Sequence, residues 1–357
     1  MRPVYYLLGL VPLALALDLL DAPAAAVFGA SAIGVIPAAA LMGEATEQLA
    51  EHSGPGVAGL LNVTFGNAPE LIIALFALAD GLHEVVKASL VGSVMGNALL
   101  VLGAAMVAGG WRRPRQHFHI EAARSLDLVL VLGTSALLIP SVVLLAGGGS
   151  LPRIGVERVS GRDAAWIATI IVSVALIAVY TRGLRRSLRT QADSFSGPVE
   201  GHSPAWSRRH AAIVLGLAAA LVAVASDTLV GSVEHTSHQL GLSQFFIGAI
   251  VVAIVGNAAE HYVAVVAATK DQMDLGLSIA VGSAAQVGLL LAPVIALASI
   301  VVGPGRMPLV FNGYELAALV CGGWLAAATT FGGVSTRRRG FLLLAVYLAL
   351  AVAFLLA

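Results

Sequence analysis

Long apolar runs limit this chain to one class of fold. Eleven runs are long enough to cross about 30 Å of hydrocarbon as helices. The runs are continuous rather than alternating, which excludes a closed β-barrel, and a composition of 58% hydrophobic and 11% charged residues is typical of multi-span membrane proteins. We therefore predict an all-α integral membrane protein with about eleven transmembrane helices. The runs lie at about residues 4–20, 24–43, 57–79, 86–109, 125–146, 164–181, 210–232, 244–268, 275–302, 314–331 and 340–357.

Two of these runs carry nearly the same polar segment. Gly66-Asn67-Ala68-Pro69-Glu70 lies in the third run, and Gly256-Asn257-Ala258-Ala259-Glu260 lies 190 residues later in the eighth. Agreement between polar residues at a constant offset indicates an internal repeat, because apolar residues alone coincide often. The same offset relates Glu44 to Glu234, Thr46 to Thr236, and Gly92-Ser93 to Gly282-Ser283.

The repeat predicts how the chain is divided. One leading helix, residues 1–22, precedes two five-helix repeats at 23–182 and 209–357, and a polar linker at 183–208 joins them. Because five is odd, the second copy enters the membrane from the opposite side, so we expect inverted repeats. Many secondary transporters have this architecture, with the binding site at mid-membrane. The leading run also has features of a signal peptide, but its removal would not make the rest soluble, and we interpret it as an uncleaved helix.

Basic residues predict the orientation. Fifteen Lys and Arg residues fall on the side of the N-terminus and five on the other side. The side that is richer in Lys and Arg is normally cytoplasmic, so we expect a cytoplasmic N-terminus and linker, an external C-terminus, and residence in the cell (inner) membrane. A net charge of zero implies no attraction to nucleic acid. An oligomer is possible.

Glu70 and Glu260 lie near the middle of their runs. An ionisable residue at that depth costs several kcal/mol and marks a functional site. Pro69 lacks an N–H and should break the helix near Gly66, freeing carbonyl oxygens. In the second copy, Gly256 with Asn257 would have to supply the kink.

The polar groups beside these acids are oxygen donors, which hard cations such as calcium prefer. Two buried glutamates facing one cavity cannot both be charged and empty, so either protons or a cation must neutralise them. That competition predicts an exchange of a hard cation, such as calcium or a related divalent ion, for protons, with no further cofactor. The candidate ligands are Glu70, Glu260, Asn67, Asn257, Gly66, Gly256, Ser93, Ser283, Asn97 and Gln286.

Four further residues are candidates for the ion path. Glu44 and Glu234 are expected at helix ends, as mouths of the path or as solvated interfacial acids, and Glu47 lies one turn from Glu44. His261 follows Glu260 and either relays protons or points into a helix contact.

The residues resemble the calcium/proton exchangers of the cation/calcium exchanger superfamily. GNAPELIIALFAL from Gly66 is similar to the first signature of that family, and the segment from Val255 to Val294 is similar to the second, including His261. The resemblance spans both halves and implies alternating access, with Glu70 and Glu260 as the acids that carry the ion and the protons. The linker departs from the family, because it lacks the strongly acidic stretch of many relatives.

Three other functions remain open. A sodium/calcium exchanger shares the fold, but such relatives usually carry Ser or Thr where Asn67 and Asn257 stand. A channel could use the same oxygen ligands. A membrane hydrolase would need a motif such as HExxH or GxSxG, and the sequence contains neither, so we do not expect an enzyme.

Overall fold

The structure is a computed structural model that describes residues 3–53, 55–111, 113–155, 162–194 and 205–357. Part of the predicted linker, residues 195–204, lies outside the described residues. The chain is mostly helical, as predicted. A 3₁₀ helix, Pro3–Gly9, precedes the first α-helix.

The helices follow the apolar runs. Those of the first half are α1 (Leu10–Leu19), α2 (Ala24–Glu51), α3 (Pro55–Gly66), α4 (Ala68–Ala79), α5 (His83–Met95), α6 (Leu102–Gly109), α7 (Ile120–Leu137), α8 (Ile139–Ala146) and α9 (Arg162–Ser194). Those of the second half are α10 (Arg208–Gly231), α11 (Val233–Leu240), α12 (Gln244–Phe246), α13 (Ala253–Thr269), α14 (Met273–Gln286), α15 (Ala292–Ala298), α16 (Gly313–Val320), α17 (Ala326–Thr330) and α18 (Arg337–Leu356).

Several long helices are interrupted by π-helical turns, in which one residue is inserted into the hydrogen-bond ladder. The turns join consecutive α-helices without breaking the rod, and they lie at Gly96–Val101, Ile247–Val252, Val287–Leu291 and Cys321–Leu325. Two short strands, β1 (Gln116–His117) and β2 (Val334–Ser335), pair antiparallel.

The predicted membrane fold is confirmed. Every predicted apolar run coincides with helical backbone. Eight helical stretches of the described residues are long and apolar enough to cross a membrane, and Val4–Leu19 and Ala68–Ala79 are shorter apolar helices. The number of eleven spans therefore stays a prediction. The eight stretches are Ala24–Glu51, His83–Gly109, Ile120–Ala146, Asp163–Arg185, Arg208–Gly231, Gln244–Thr269, Met273–Ala298 and Arg337–Leu356.

The repeat is visible in the element boundaries. The stretch His83–Gly109 corresponds to Met273–Ala298, and both begin at the same point of the 190-residue offset. The π-helical turn Gly96–Val101 corresponds to the turn Val287–Leu291 at nearly the same offset. Equivalent irregularities support the repeat that the polar residues predict, while the inverted relation between the copies stays a prediction.

The chain forms two compact units. The first comprises Met1–Phe76 and Ala178–Gln239, and the second comprises Ala77–Ile177 and Leu240–Ala357. These units are not the predicted repeat halves, because each unit takes segments from both halves.

In the first unit, α2 packs along α10. Their shared core contains Met42, Ala45, Leu215 and Ala218, together with Ala68 at the start of α4. Small residues allow such close packing between membrane helices. This core fixes α2 and α10 beside the segment that carries Asn67 and Glu70.

In the second unit, α5 crosses the π-helical turn Ile247–Val252 that precedes α13. A Cβ at Gly92 would lie 2.0 Å from the carbonyl oxygen of Ala249, and one at Gly248 would lie 2.8 Å from that of Val85. Both positions therefore require glycine, and the close crossing brings the polar side chains of α5 to those of α13.

Candidate ion-binding site

The first acid lies directly after a helix break. The helix α3 ends at Gly66, α4 begins at Ala68, and the N–H of Leu71 donates to the carbonyl oxygen of Asn67 at 3.0 Å. The break predicted from Pro69 is confirmed. Glu70 lies in the first turn of α4, where unpaired N–H groups and the helix dipole favour negative charge. The side chains of Asn67 and Glu70 are both buried.

The second copy has no such break. The helix α13 runs without interruption through Asn257 and Glu260, so the kink expected at Gly256 is absent. Ala259 retains the backbone N–H that Pro69 lacks. The side-chain Nδ2 of Asn257 donates to the carbonyl oxygen of Ala253, one turn earlier, at 2.9 Å. The irregularity lies earlier, in the π-helical turn Ile247–Val252.

Asn257 is the centre of a buried hydrogen-bond network. Its Nδ2 donates to Ser93 Oγ at 3.1 Å, and its Oδ1 accepts from Asn97 Nδ2 at 3.1 Å. Asn97 is fully buried in the π-helical turn Gly96–Val101, and its own Oδ1 has no hydrogen-bond partner among the described residues. The network therefore holds the Asn257 side chain in one orientation and leaves the side-chain oxygen Oδ1 of Asn97 as a buried acceptor.

Glu260 is bound by a hydroxyl. Ser283 Oγ on α14 donates to Glu260 Oε2 at 2.5 Å. This contact orients the carboxyl group of Glu260 and joins α13 to α14. The sequence predicted both residues as ligands from the repeat, and the structure brings them together.

Gln286 and His261 are the two remaining candidates on α14 and α13. Gln286 is the last residue of α14, immediately before the π-helical turn Val287–Leu291. His261 is half-buried, and its Nε2 has no hydrogen-bond partner among the described residues. The proton relay through His261 stays a prediction.

The candidate mouth residues do not form one group. Glu44 lies seven residues before the end of α2, where it accepts a hydrogen bond from the hydroxyl of Tyr5. The prediction that Glu44 ends its helix is wrong, because residues 45–51 favour helix and no Gly or Pro follows before Gly54. Glu47 is exposed on α2. Glu234 is exposed in the first turn of α11, just after α10 ends, as predicted.

The sites of the two repeats lie in different units. Gly66, Asn67 and Glu70 belong to the first unit. The second unit holds Ser93, Asn97, Gly256, Asn257, Glu260, Ser283 and Gln286.

The sequence analysis missed two buried acids. Asp127 on α7 accepts a hydrogen bond from Thr330, and Glu315 forms a capping box with Asn312 at the start of α16. Both acids lie at the beginning of their predicted apolar runs, 125–146 and 314–331, so the mid-run depth that selected Glu70 and Glu260 did not select them. Tyr5, the partner of Glu44, has no such signal, because tyrosine is common at the ends of membrane helices.

The sequence model of the family described as "Sodium/calcium exchanger protein" matches residues 23–188 and 210–356. The chain belongs to this family. The first matched segment extends six residues into the predicted linker, and the second begins at residue 210. The predicted membership of the calcium/proton exchangers within the cation/calcium exchanger superfamily is confirmed by the relatives of this chain.

Two relatives are similar over nearly their whole length. The Ca²⁺/H⁺ antiporter ChaA of Bacillus subtilis is 39% identical over 351 residues, which cover 97% of this chain and 96% of the relative. The Ca²⁺/H⁺ antiporter of Synechocystis sp. is 38% identical over 371 residues, which cover 98% of this chain and 95% of the relative.

Solved structures show the same fold. Native YfkE has a TM-score of 0.83 and 38% sequence identity, and the match covers 100% of both chains. An H⁺/Ca²⁺ exchanger, CAX, has a TM-score of 0.73 at 12% identity, covering 99% of this chain and 91% of the other. At that identity, the second likeness supports the fold alone.

Proposed function

We propose that this protein is a secondary active antiporter that exchanges calcium, or a related divalent cation, for protons. The observation that carries the proposal is the repeated pairing of a membrane-embedded glutamate with an asparagine, at Glu70 with Asn67 and at Glu260 with Asn257. Relatives that match nearly the whole chain and are named Ca²⁺/H⁺ antiporters support it. The chemistry is transport rather than enzymatic turnover.

The two glutamates carry the cation or protons in turn. Two carboxylates balance the charge of one divalent cation, and two protons neutralise the same two groups when the cation leaves. In both loaded forms the site carries no net charge, so the protein can change the side to which the site opens. The empty site with two ionised glutamates cannot make this change, because burying uncompensated charge is costly. Obligatory exchange by alternating access follows from this difference.

The surrounding polar groups contribute oxygen ligands. Ser283 fixes the Glu260 carboxylate, and Ser93 with Asn97 orients Asn257. Asn97 Oδ1 and the carbonyl oxygens freed at Gly66 add neutral donors, and Gly256, Gln286 and Ser93 lie on the same helical segments. Neutral oxygens raise the coordination number without adding charge, which suits calcium.

Sodium/calcium exchange is the second candidate, and the family's description favours it. Asparagine at positions 67 and 257 argues against it, since relatives of the sodium-dependent type usually carry Ser or Thr there. A channel is the weaker alternative.

We further propose the cell (inner) membrane as the location, with the N-terminus and the linker cytoplasmic and the C-terminus external. With five helices in each repeat, the two repeats are inverted relative to each other. Glu44, Glu47, Glu234 and His261 are proposed to serve the ion path. The oligomeric state stays open.

Calcium uptake into proteoliposomes with defined ions tests the function. We expect inside-acidic vesicles to accumulate calcium without sodium, and uptake to stop when an ionophore collapses the pH gradient. Uptake that ignores the pH gradient and requires a sodium gradient would contradict proton coupling and favour the second candidate. Uptake that requires neither gradient would indicate a channel.

A further inference from the structure

We propose that Asp127, together with Thr330, is a second proton-binding site within the membrane, separate from the exchange acids and sensitive to pH on one face only. Asp127 lies on α7, inside the apolar stretch Ile120–Ala146. An ionisable residue inside a membrane helix is a functional candidate by default, and the proposed exchange makes no use of this one.

The carboxyl group is buried and only half satisfied. Asp127 is 7% exposed, its Oδ2 lies 2.7 Å from Thr330 Oγ1, and its Oδ1 is buried with no hydrogen-bond partner among the described residues. An ionised carboxylate can only accept hydrogen bonds, and a charged oxygen left unsatisfied in an apolar surrounding is costly. A neutral acid tolerates the same position better.

The single hydroxyl proton of Thr330 also favours a protonated Asp127. Its hydroxyl oxygen lies within hydrogen-bonding distance of Asp127 Oδ2 and also of the carbonyl oxygens of Ala326 and Ala327, at 3.0 and 3.1 Å. A hydroxyl has one proton to donate. With a proton on Asp127, the acid donates to Thr330 and Thr330 donates to its own helix, so both contacts are satisfied together.

The basic side chains near α7 do not neutralise the Asp127 carboxylate, so a proton has to. Among the described residues, no cation forms an ion pair with Asp127. Arg339 donates to the carbonyl oxygens of Thr329 and Val334, and the Arg124 guanidinium lies 5.1 Å from the Phe331 ring centroid. The remaining titratable groups on α7 and the elements packed against it are Glu121, Asp274 (which pairs with His119), Tyr314, Glu315 and Cys321.

The pair of Asp127 and Thr330 has no polar counterpart at the 190-residue offset, unlike Glu70 and Glu260. The 190-residue offset places Ala317 opposite Asp127 and Pro140 opposite Thr330. Asp127 lies seven residues into α7, or about 10 Å from its start, on the side that the basic residues assign to the cytoplasm. A single acid at this depth responds to cytoplasmic pH, whereas a repeated pair serves both faces.

Asp127 is connected to Glu260 through packed helices of the same unit. A Cβ on Gly323 would lie 2.3 Å from Thr134 Oγ1, and one on Gly133 would lie 3.3 Å from Leu289. The helix α7 is therefore held closely between the turn after α16 and the turn after α14, and α14 carries Ser283. Loss of the Asp127 proton would place a negative charge on α7, which packs against the helix that carries Ser283. That this charge changes the rate of exchange rests on the proposed function.

Infrared difference spectroscopy tests proton binding directly. In a Glu70→Gln, Glu260→Gln background, we expect a pH-dependent carbonyl stretch of a protonated carboxylic acid that shifts in deuterium oxide. Asp127→Asn should remove this band, and Thr330→Val should shift its frequency because the acid loses its hydrogen-bond acceptor. Thr134→Val is the matched control, since within the described part of the chain the Thr134 hydroxyl bonds to the carbonyl oxygens of Leu130 and Val131 on its own helix. It should leave the band unchanged.

Transport provides the second readout. In proteoliposomes with a fixed outward-face pH, we expect Asp127→Asn to exchange calcium with a weaker dependence on cytoplasmic-face pH than the wild type. If Asp127→Asn removed no carboxylic acid band that the background shows, the proposal would be overturned, and so it would by bands that Thr330→Val leaves unchanged. If the background with both glutamines still transported calcium, the proposed function would fail while the spectroscopic result would stand on its own.

Discussion

At the scale of single residues, the candidate site combines carboxyl groups with neutral polar groups that orient them. Ser283 binds Glu260 directly, while Ser93 and Asn97 act on Asn257. A carboxylate that is already oriented loses less entropy on binding a cation. The hydroxyl of Ser283 is therefore as much a part of the site as the acid.

Ser283→Ala should weaken the apparent calcium affinity about tenfold or more, because a hydrogen bond to a charged group contributes about 1.5–3 kcal/mol. Ser89→Ala is the matched control, since the Ser89 hydroxyl donates to Val86 on its own helix. Calcium-dependent uptake rates measured over a concentration series give both values. Wild-type affinity in Ser283→Ala would mean that the serine has no role in binding.

The residue types of the site were predictable from the sequence, but their contacts were not. The repeat selected Asn257 and Ser93, because matched polar residues in apolar runs need a reason, and Asn97 was selected because it lies one turn from Ser93. That Asn97 binds the oxygen of Asn257 depends on how closely α5 and α13 approach, and no spacing within one helix specifies this.

At the scale of elements, local chemistry decided some features and packing decided others. The break after Gly66 follows from Pro69, which excludes a regular helix by its own geometry. The second copy has no proline, and its irregularity moved to the π-helical turn Ile247–Val252, where α5 crosses. The end of α2 was predicted too early, because its last turns carry acids and glutamine that are polar but favour helix.

Gly92→Ala should destabilise the protein by about 1–3 kcal/mol, the usual cost of overpacking, because the added Cβ would overlap the carbonyl of Ala249. Gly282→Ala is the control at the equivalent position of the repeat, where an added Cβ meets nothing within 4 Å. Thermal unfolding of the purified variants compares the two. Equal melting temperatures would contradict the close crossing of α5.

At the scale of the whole molecule, hydrophobicity determined the fold class and the positions of the helices. The sequence could not predict the two compact units, because they combine segments from both repeats. That grouping arises from long-range packing such as α2 against α10. The orientation rests on the distribution of Lys and Arg and is accessible to labelling.

A cysteine in place of Arg115, on a Cys321→Ala background, should react with a membrane-impermeant reagent only from the cytoplasmic side. A cysteine in place of Ser150 should react only from outside. Both positions are exposed, so access from the correct side is not limited by burial. Labelling of intact cells and of inverted vesicles distinguishes the two faces, and the reverse pattern would overturn the orientation.

The central claim is that calcium and protons compete for Glu70 and Glu260, and counting the protons released on calcium binding tests it most directly. Calorimetric titration of the purified protein in buffers of different ionisation enthalpy gives that number. We expect the wild type to release protons as calcium binds, with weaker apparent affinity at lower pH. Glu70→Gln and Glu260→Gln should each bind calcium more weakly and release fewer protons, whereas Glu121→Gln, a change at an exposed acid, should match the wild type. Unchanged affinity and proton release in both glutamine variants of the exchange acids would contradict the account.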